Sequence, residues 1–250
     1  MAVIEQSESV EARRARYWET GYLVLSGLFA PEETEAWRAE SERLLRSDVV
    51  QPNNVRTPFR KNSGEFPERI DPVLDISPLF DALARDARIM DVLHSLFGDT
   101  PVVFKDKLIY KLPGTEGYVI HQDQAYWQFC PPDDILSVSI ALDAANEANG
   151  AVALYPGYHH ELLTPVGAKR GIQSEELTRI DTGRRDLIAT RPGDVLIFHS
   201  LTPHDSAPNT SPHPRRSLYL TYNAKRAGDL QAQQLEDYVQ RNSSGNSYFK

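Results

Sequence analysis

The periodicity of this sequence changes at Gly98. Before it, apolar residues recur every three or four positions, as on one face of a helix; after it, they alternate with polar ones, as along a strand. Val102 to Leu112 (VVFKDKLIYKL) carries the new period most plainly. It sets Lys105, Lys107, Ile109 and Lys111 on one face and Phe104, Asp106, Leu108 and Tyr110 on the other. Further β-rich runs follow at Tyr118–Asp123, Ile135–Leu142, Ala151–Tyr155, Leu187–Thr190, Val195–His199 and Arg216–Tyr222, with Pro, Gly, Asn and Asp clusters between them. Helices first and then short strands at regular spacing, about eight in all, predict a mainly β fold with flanking helices: a sandwich or jelly-roll barrel, cupin-like, packed on N-terminal helices.

The helical region spans about residues 8–97, the β-core about 101–222, and a polar C-terminal tail follows. Within the first, residues 8–19 favour a helix stopped by Gly21, and Tyr22–Leu25 reads as a short apolar strand. Pro31, Glu32 and Glu33 open a second helix that runs to Leu45, with Trp37, Leu44 and Leu45 as its apolar stripe. A third is expected from Ser77 to Phe97, capped by Gly98. Two stretches lack periodicity. The loop at 49–75 has the character of a lid and carries Arg56, Arg60 and Lys61, which are either solvated loop charges or include one that meets an anionic substrate or co-substrate; 165–186 reads as a surface insertion. With no internal repeat and no linker, residues 1–250 are expected to form one domain.

Composition narrows the partners. A formal charge of −8 argues against nucleic acid and anionic membrane surfaces. No apolar run is long enough to span a bilayer, and the first twenty residues lack a signal-peptide core, so a cytoplasmic protein acting on a small molecule is expected. The single cysteine, Cys130, excludes an internal disulfide and a cysteine-rich metal site, and is expected to be a packing residue. Oligomeric state has no signature in the sequence.

The chemistry gathers around Ile120–Trp127 (IHQDQAYW). On an extended chain His121 and Asp123 point the same way and present an imidazole beside a carboxylate. Together they make two thirds of a two-His-one-carboxylate iron site, which needs one more His from elsewhere. His-x-Asp is short enough to arise by chance, so the third ligand matters. His199 and His204 both qualify by position, His199 at the end of a strand and His204 at a strand-to-loop edge; position favours His204 without deciding. Arg215 and Arg216 open the last strand, where only one of the two can point inward. An inward guanidinium calls for a carboxylate partner, either a ligand's or a structural Asp or Glu. Tyr126, Trp127, Lys107 and Tyr219 are the candidate substrate contacts, and an inward lysine suits a carboxylate or phosphonate.

These pieces, with Gly21–Glu33 (GYLVLSGLFAPEE), Lys111–Gly114 (KLPG), Asn149–His160 (NGAVALYPGYHH), Arg191–Asn209 (RPGDVLIFHSLTPHDSAPN) and Pro214–Leu218 (PRRSL), appear in an order that resembles the phytanoyl-CoA dioxygenase family of iron(II)/2-oxoglutarate oxygenases. The resemblance implies a double-stranded β-helix, with His121, Asp123 and His204 as iron ligands. It further implies Arg215 on the distal carboxylate of 2-oxoglutarate, and polar contacts to that co-substrate from Gln122 and Ser206. The implied reaction uses Fe(II), 2-oxoglutarate and O2 to oxidise a C–H bond of a small molecule, releasing succinate and CO2. Related halogenases replace the carboxylate ligand by a small residue, so the presence of Asp123 favours hydroxylation. The expected substrate is a secondary-metabolite intermediate or a small amino or phosphonate compound. The alternatives are a cupin-like metal-dependent isomerase and a non-catalytic binding homologue.

Overall fold

The computed structural model describes residues 3–4, 8–50 and 68–233. The loop cations Arg56, Arg60 and Lys61 lie outside the described residues, as does the tail after Gln233. The described strands are β1 (Val3–Ile4), β2 (Tyr22–Leu25), β3 (Arg69–Ile70), β4 (Pro101–Lys111), β5 (Tyr118–His121), β6 (Ile135–Ala141), β7 (Val152–Leu154), β8 (Asp186–Leu187), β9 (Val195–His199), β10 (His204–Ser206) and β11 (Arg215–Ala224). The helices are α1 (Val10–Thr20), α2 (Pro31–Leu45), α3 (Pro78–Ala84), α4 (Ala87–Phe97) and the single turn α5 (Ser174–Leu177). Among the described residues no helix is long and apolar enough to cross a membrane.

The strands form two sheets. The larger runs β1-β2-β9-β6-β11-β4-β3 and the smaller β5-β10-β7-β8; every pairing is antiparallel except β1 with β2. Period-2 alternation splits the larger sheet into two chemically distinct faces. Leu23, Leu136, Val138, Ile140, Val195, Ile197, Leu108, Leu218, Leu220 and Tyr222 point to one side, where they join Trp37, Leu44, Phe80, Leu83, Leu93 and Leu96 of the helices in the main core. On the other side, Tyr22, Val24, Leu196 and Phe198 pack against Val152 and Leu154 of the smaller sheet and Ile188 just after β8, closing one end of the intersheet space. The neighbouring strands offer polar side chains to the same face: Ser137 and Ser139 on β6, Arg215, Ser217, Tyr219 and Thr221 on β11, Lys105, Lys107 and Lys111 on β4. The space they enclose is where a polar ligand can sit. Two antiparallel sheets packed in this way are consistent with a jelly roll.

Four expectations need correction. The helix expected over Ser77–Phe97 is two helices: α3 ends at Ala84 with Arg85 as its cap, and Asp86 starts α4 by accepting the Arg88 N–H at 2.9 Å. Both pack on one core, so the apolar spacing runs through the break. Phe104 does not share a face with Leu108 and Tyr110. Opposite it the register slips, Lys105 pairing with Thr221 and Val103 with Tyr222, so Phe104 is an extra residue that turns onto Trp127. Residues 165–186 are more than a surface insertion: Ile172 and Ile180 are buried with Tyr155 and Leu163, and the Ile172 N–H donates to the Ile120 carbonyl at 2.9 Å. Lastly, eleven strands are described rather than about eight; β1, β3 and β10 are too short to leave a periodic trace.

Candidate metal centre

Strand β5 ends at His121, and Asp123 opens the 3-10 turn Asp123–Ala125 rather than continuing the strand. Gln122 between them is extended (φ −115°, ψ 131°), so the two side chains still project to one side. His204 opens β10 and lies directly across from His121 in the β5–β10 ladder. The ladder therefore brings together residues 83 positions apart, with ring centroids 4.1 Å from each other. Nε2 of His121 lies 3.9 Å and Nε2 of His204 4.0 Å from Oδ1 of Asp123. The three donor atoms fall within 4.8 Å of one another, a spacing that one metal ion can bridge.

The donor set fits iron(II) in its hydrogen bonding as well as its composition. Nδ1 of His121 lies 2.8 Å from the Val119 carbonyl, and Nδ1 of His204 lies 2.9 Å from that of Thr202. A carbonyl only accepts, so each Nδ1 carries the proton and each Nε2 turns a lone pair toward the shared space. Ser137 donates to Oδ2 of Asp123 at 2.7 Å, leaving Oδ1 for a metal. Burial, reinforced by the nearby His204, pushes His121 down to about 4, so its imidazole is neutral and ready to ligate. Burial acts against the Asp123 carboxylate, but the neighbouring His204 and His121 imidazoles, Lys107 and the Ser137 hydrogen bond hold its pKa below the usual range.

His121, Asp123 and His204 open into a cavity that encloses about 910 Å³ of empty space, part of it open to solvent. Arg69, Lys105, Lys107, Ile109, Tyr118, Tyr126, Trp127, Phe198, Ser206, Arg215 and Tyr219 line it. Of the two arginines that open β11, Arg216 turns to the opposite side and pairs with Asp143 and Glu42 at 2.7 Å each. Arg215 turns into the cavity, 3 % exposed. Its Nη1 reaches Ser217 Oγ at 3.4 Å, its Nε is buried without a hydrogen-bond partner, and no carboxylate pairs with it among the described residues. A buried guanidinium left in this state is stable only with an anion to complete it. Ser206 lies nearby, its Oγ accepting from Lys111 Nζ at 2.8 Å.

The remaining expected site residues divide. Tyr126, Trp127, Lys107 and Tyr219 all line the cavity, with Lys107 Nζ 5.3 Å from the centre of the Tyr219 ring. Gln122 turns away from it. Its amide donates to the carbonyls of Glu161 (2.8 Å) and Leu201 (2.6 Å) and accepts the Leu163 N–H (2.8 Å), which ties the loops on either side to the ligand turn. His199 is also outside the cavity lining. Its Nδ1 accepts the Leu201 N–H at 3.1 Å, and its ring packs against Trp18 and His159. Cys130 is buried beside Trp127, and burial pushes its thiol up to about 12. Two residues of the site went unnoticed in the sequence, Ser137 and Arg69. The serines of ILSVSIAL mark its wet face and point to Ser137; Arg69 sits on a two-residue strand with no pattern to betray it.

The profile of the phytanoyl-CoA dioxygenase family (PhyH) matches residues 17–217. A methylphosphonate hydroxylase of Gimesia maris is 32 % identical over 232 residues, covering 89 % of this chain and 84 % of its own. An ectoine dioxygenase of Bordetella parapertussis is 30 % identical over 229 residues, covering 83 % of this chain and 73 % of its own. Among solved structures, EctD from S. alaskensis with bound iron superimposes with a TM-score of 0.75 at 26 % identity, covering 90 % of this chain and 81 % of that one.

Proposed function

The chain belongs to the phytanoyl-CoA dioxygenase family, and on that premise we propose that it is an iron(II)- and 2-oxoglutarate-dependent dioxygenase that hydroxylates a C–H bond of a small molecule. The observation that carries this is the pairing, in one cavity, of the His121–Asp123–His204 triad with the buried, carboxylate-free guanidinium of Arg215. In this reading the described residues form one catalytic domain, and the two sheets are the halves of a double-stranded β-helix.

When bound, iron(II) together with 2-oxoglutarate and O2 supplies the oxidant for an unactivated C–H bond, one oxygen atom going to the product and the other to succinate as CO2 leaves. The protein holds and orients. His121, Asp123 and His204 bind the ion, their Val119, Thr202 and Ser137 partners fixing which atom of each faces it. Arg215 holds the distal carboxylate of 2-oxoglutarate. Ser206 adds a hydroxyl beside it: Lys111, a donor only, occupies a lone pair of Oγ, so the Ser206 proton is free to donate into the cavity. Tyr126 and Trp127 wall the substrate end, and Phe198 against His204 (4.8 Å between ring centres) helps exclude water from the ligands. Gln122 serves this site from outside, as a strap on the turn that carries Asp123.

The test is succinate release. It is expected only with Fe(II), 2-oxoglutarate and O2 all present, and to rise when the substrate is added. Arg215→Ala should raise the KM for 2-oxoglutarate by roughly tenfold or more, the loss expected for a charge-assisted hydrogen bond. Substrate turnover without 2-oxoglutarate would overturn the proposal in favour of an isomerase.

A further inference from the structure

At the end of β9 the chain makes a tight turn over His199, Ser200, Leu201 and Thr202. All four residues are buried, and all four lie outside the cavity lining. The carbonyls of this turn nevertheless run to the metal centre. That of Ser200 accepts the Gln124 N–H at 2.9 Å, and that of Leu201 accepts the Gln122 side-chain amide at 2.6 Å. That of Thr202 accepts from Nδ1 of His204 at 2.9 Å. Gln122 and Gln124 flank Asp123, so one turn holds the residues on both sides of the carboxylate ligand and the ring of a histidine ligand.

His199 aims the first two of these carbonyls. A peptide unit is planar and trans, so its N–H and its C=O point in opposite directions. The unit between Ser200 and Leu201 has its N–H on Nδ1 of His199 at 3.1 Å. The unit between Leu201 and Thr202 has its N–H on the His199 carbonyl at 2.9 Å. Both units are held from the His199 side, and their carbonyls face away, onto Gln124 and Gln122. The second of these bonds is made by the backbone and is open to any residue. The first needs an acceptor on the side chain of residue 199, placed for the N–H two residues on, as Asn and Asp provide in turns of their own. His199 offers that acceptor in one tautomer only. Asp133 Oδ1 accepts from Nε2 at 3.3 Å, which leaves the Nδ1 lone pair for Leu201. Burial, with His159 beside it, keeps the ring uncharged. The ends of the turn have other anchors. The His199 N–H and the Thr202 hydroxyl both donate to the Gly21 carbonyl, at 2.9 and 2.8 Å, and the Ser200 hydroxyl donates to the Pro132 carbonyl at 3.1 Å. None of these bonds holds the N–H of the Ser200–Leu201 peptide.

We propose that His199 is a positioning residue of the metal centre: through the Leu201 N–H its Nδ1 sets the Ser200 carbonyl, and through that carbonyl the turn that presents Asp123. The proposal rests on the iron centre of the oxygenase reading above and adds the side chain that keeps its carboxylate ligand in place. His199 touches neither substrate nor ion. Its loss frees the Ser200–Leu201 peptide to rotate and slackens the Gln124 end of the ligand turn, so the cost falls on metal affinity and ligand geometry.

The test is anaerobic calorimetric titration with iron(II), with the visible absorption of the cobalt(II)-loaded protein reporting ligand geometry. His199→Leu removes the acceptor. His199→Asn sets an amide oxygen near the place of Nδ1 while giving up Asp133. His199→Leu should weaken iron(II) binding by roughly tenfold, as losing a partner just outside a metal's ligands does, and should alter the cobalt(II) spectrum. His199→Asn should bind iron(II) within about threefold of the parent and keep the parent's spectrum. A residue that only fills space would give the reverse order, because Leu replaces the volume of the ring better than Asn does. Circular dichroism checks that the variants fold. Should His199→Leu not fold, His199→Gln takes its place with the same expected loss, since its amide reaches toward Asp133 rather than Leu201. A folded acceptor-free variant that binds iron(II) as the parent does overturns the proposal, as does a His199→Asn protein as weak as that variant. A parent that takes up no iron(II) would instead sink the oxygenase reading, so the two failures are distinguishable.

Discussion

Replacing His204 by Ala should end 2-oxoglutarate-dependent succinate release, whereas His199→Ala should leave a measurable rate. The two histidines are five residues apart, yet their environments differ in kind. His204 keeps an Nε2 lone pair toward Asp123 and His121. His199 spends both ring nitrogens on the protein, Nδ1 on the Leu201 N–H and Nε2 on Asp133 at 3.3 Å. A dead His199→Ala with a live His204→Ala would reverse the ligand assignment. His199 has a consequence of its own for stability. Burial, with His159 beside it, pushes its pKa from 6.5 to about 4. Between those values the unfolded chain binds a proton that the folded chain refuses, so stability is fully present above 6.5 and drains away as pH falls toward 4. The loss is at most about 3 kcal/mol at this residue. Thermal melts from pH 7 to 4, with chelator present so that metal release plays no part, should show a falling Tm that His199→Gln makes shallower, with the buried His121 supplying part of the remaining fall.

Among the elements, the ligand turn is the one held from most sides. Gln122→Leu should cost roughly 2–4 kcal/mol, because it strands three backbone groups at Glu161, Leu163 and Leu201. Melts should show that loss, and iron titration should show weaker binding although no ligand has been touched; an unchanged iron affinity would mean the strap does not position Asp123. The elements also divide by how well the sequence betrays them. The faces of β4 and β11 are legible, because each strand is long enough for alternation to repeat. Lys107 and Tyr219 were found that way. β10 was not legible as a strand: three residues after Pro203 cannot establish a period, so His204 is found by resemblance and its pairing with His121 only in the fold. The slip at Phe104 and the break at Asp86 escaped for a related reason. Both leave an apolar residue every few positions, and only three-dimensional packing shows that its direction has changed.

Across the whole molecule, one apolar layer between the larger sheet and helices α2, α3 and α4 supplies the rigid floor, and the cavity lies on the other face of that same sheet. Site and core are thus two sides of β4, β6 and β11. A ligand that binds only the folded protein stabilises it by mass action. Iron(II) with 2-oxoglutarate, each near one hundred times its Kd, should raise the melting transition by an amount equivalent to about 2.7 kcal/mol per ligand, and chelator should remove the gain. A melting curve indifferent to both would mean that the triad does not take up metal in solution.

The facing positions of His121 and His204 carry one more implication, for the order in which the protein matures. Neither imidazole has its partner until β5 and β10 lie side by side, and β10 contributes only three residues to that pairing. The ion therefore meets a two-histidine grip only after this short seam has closed. A seated ion would add a link across this seam, where only His204–His121 and Ser206–Tyr118 are in register. Such an ion would oppose separation of β5 from β10 at the edge of the smaller sheet.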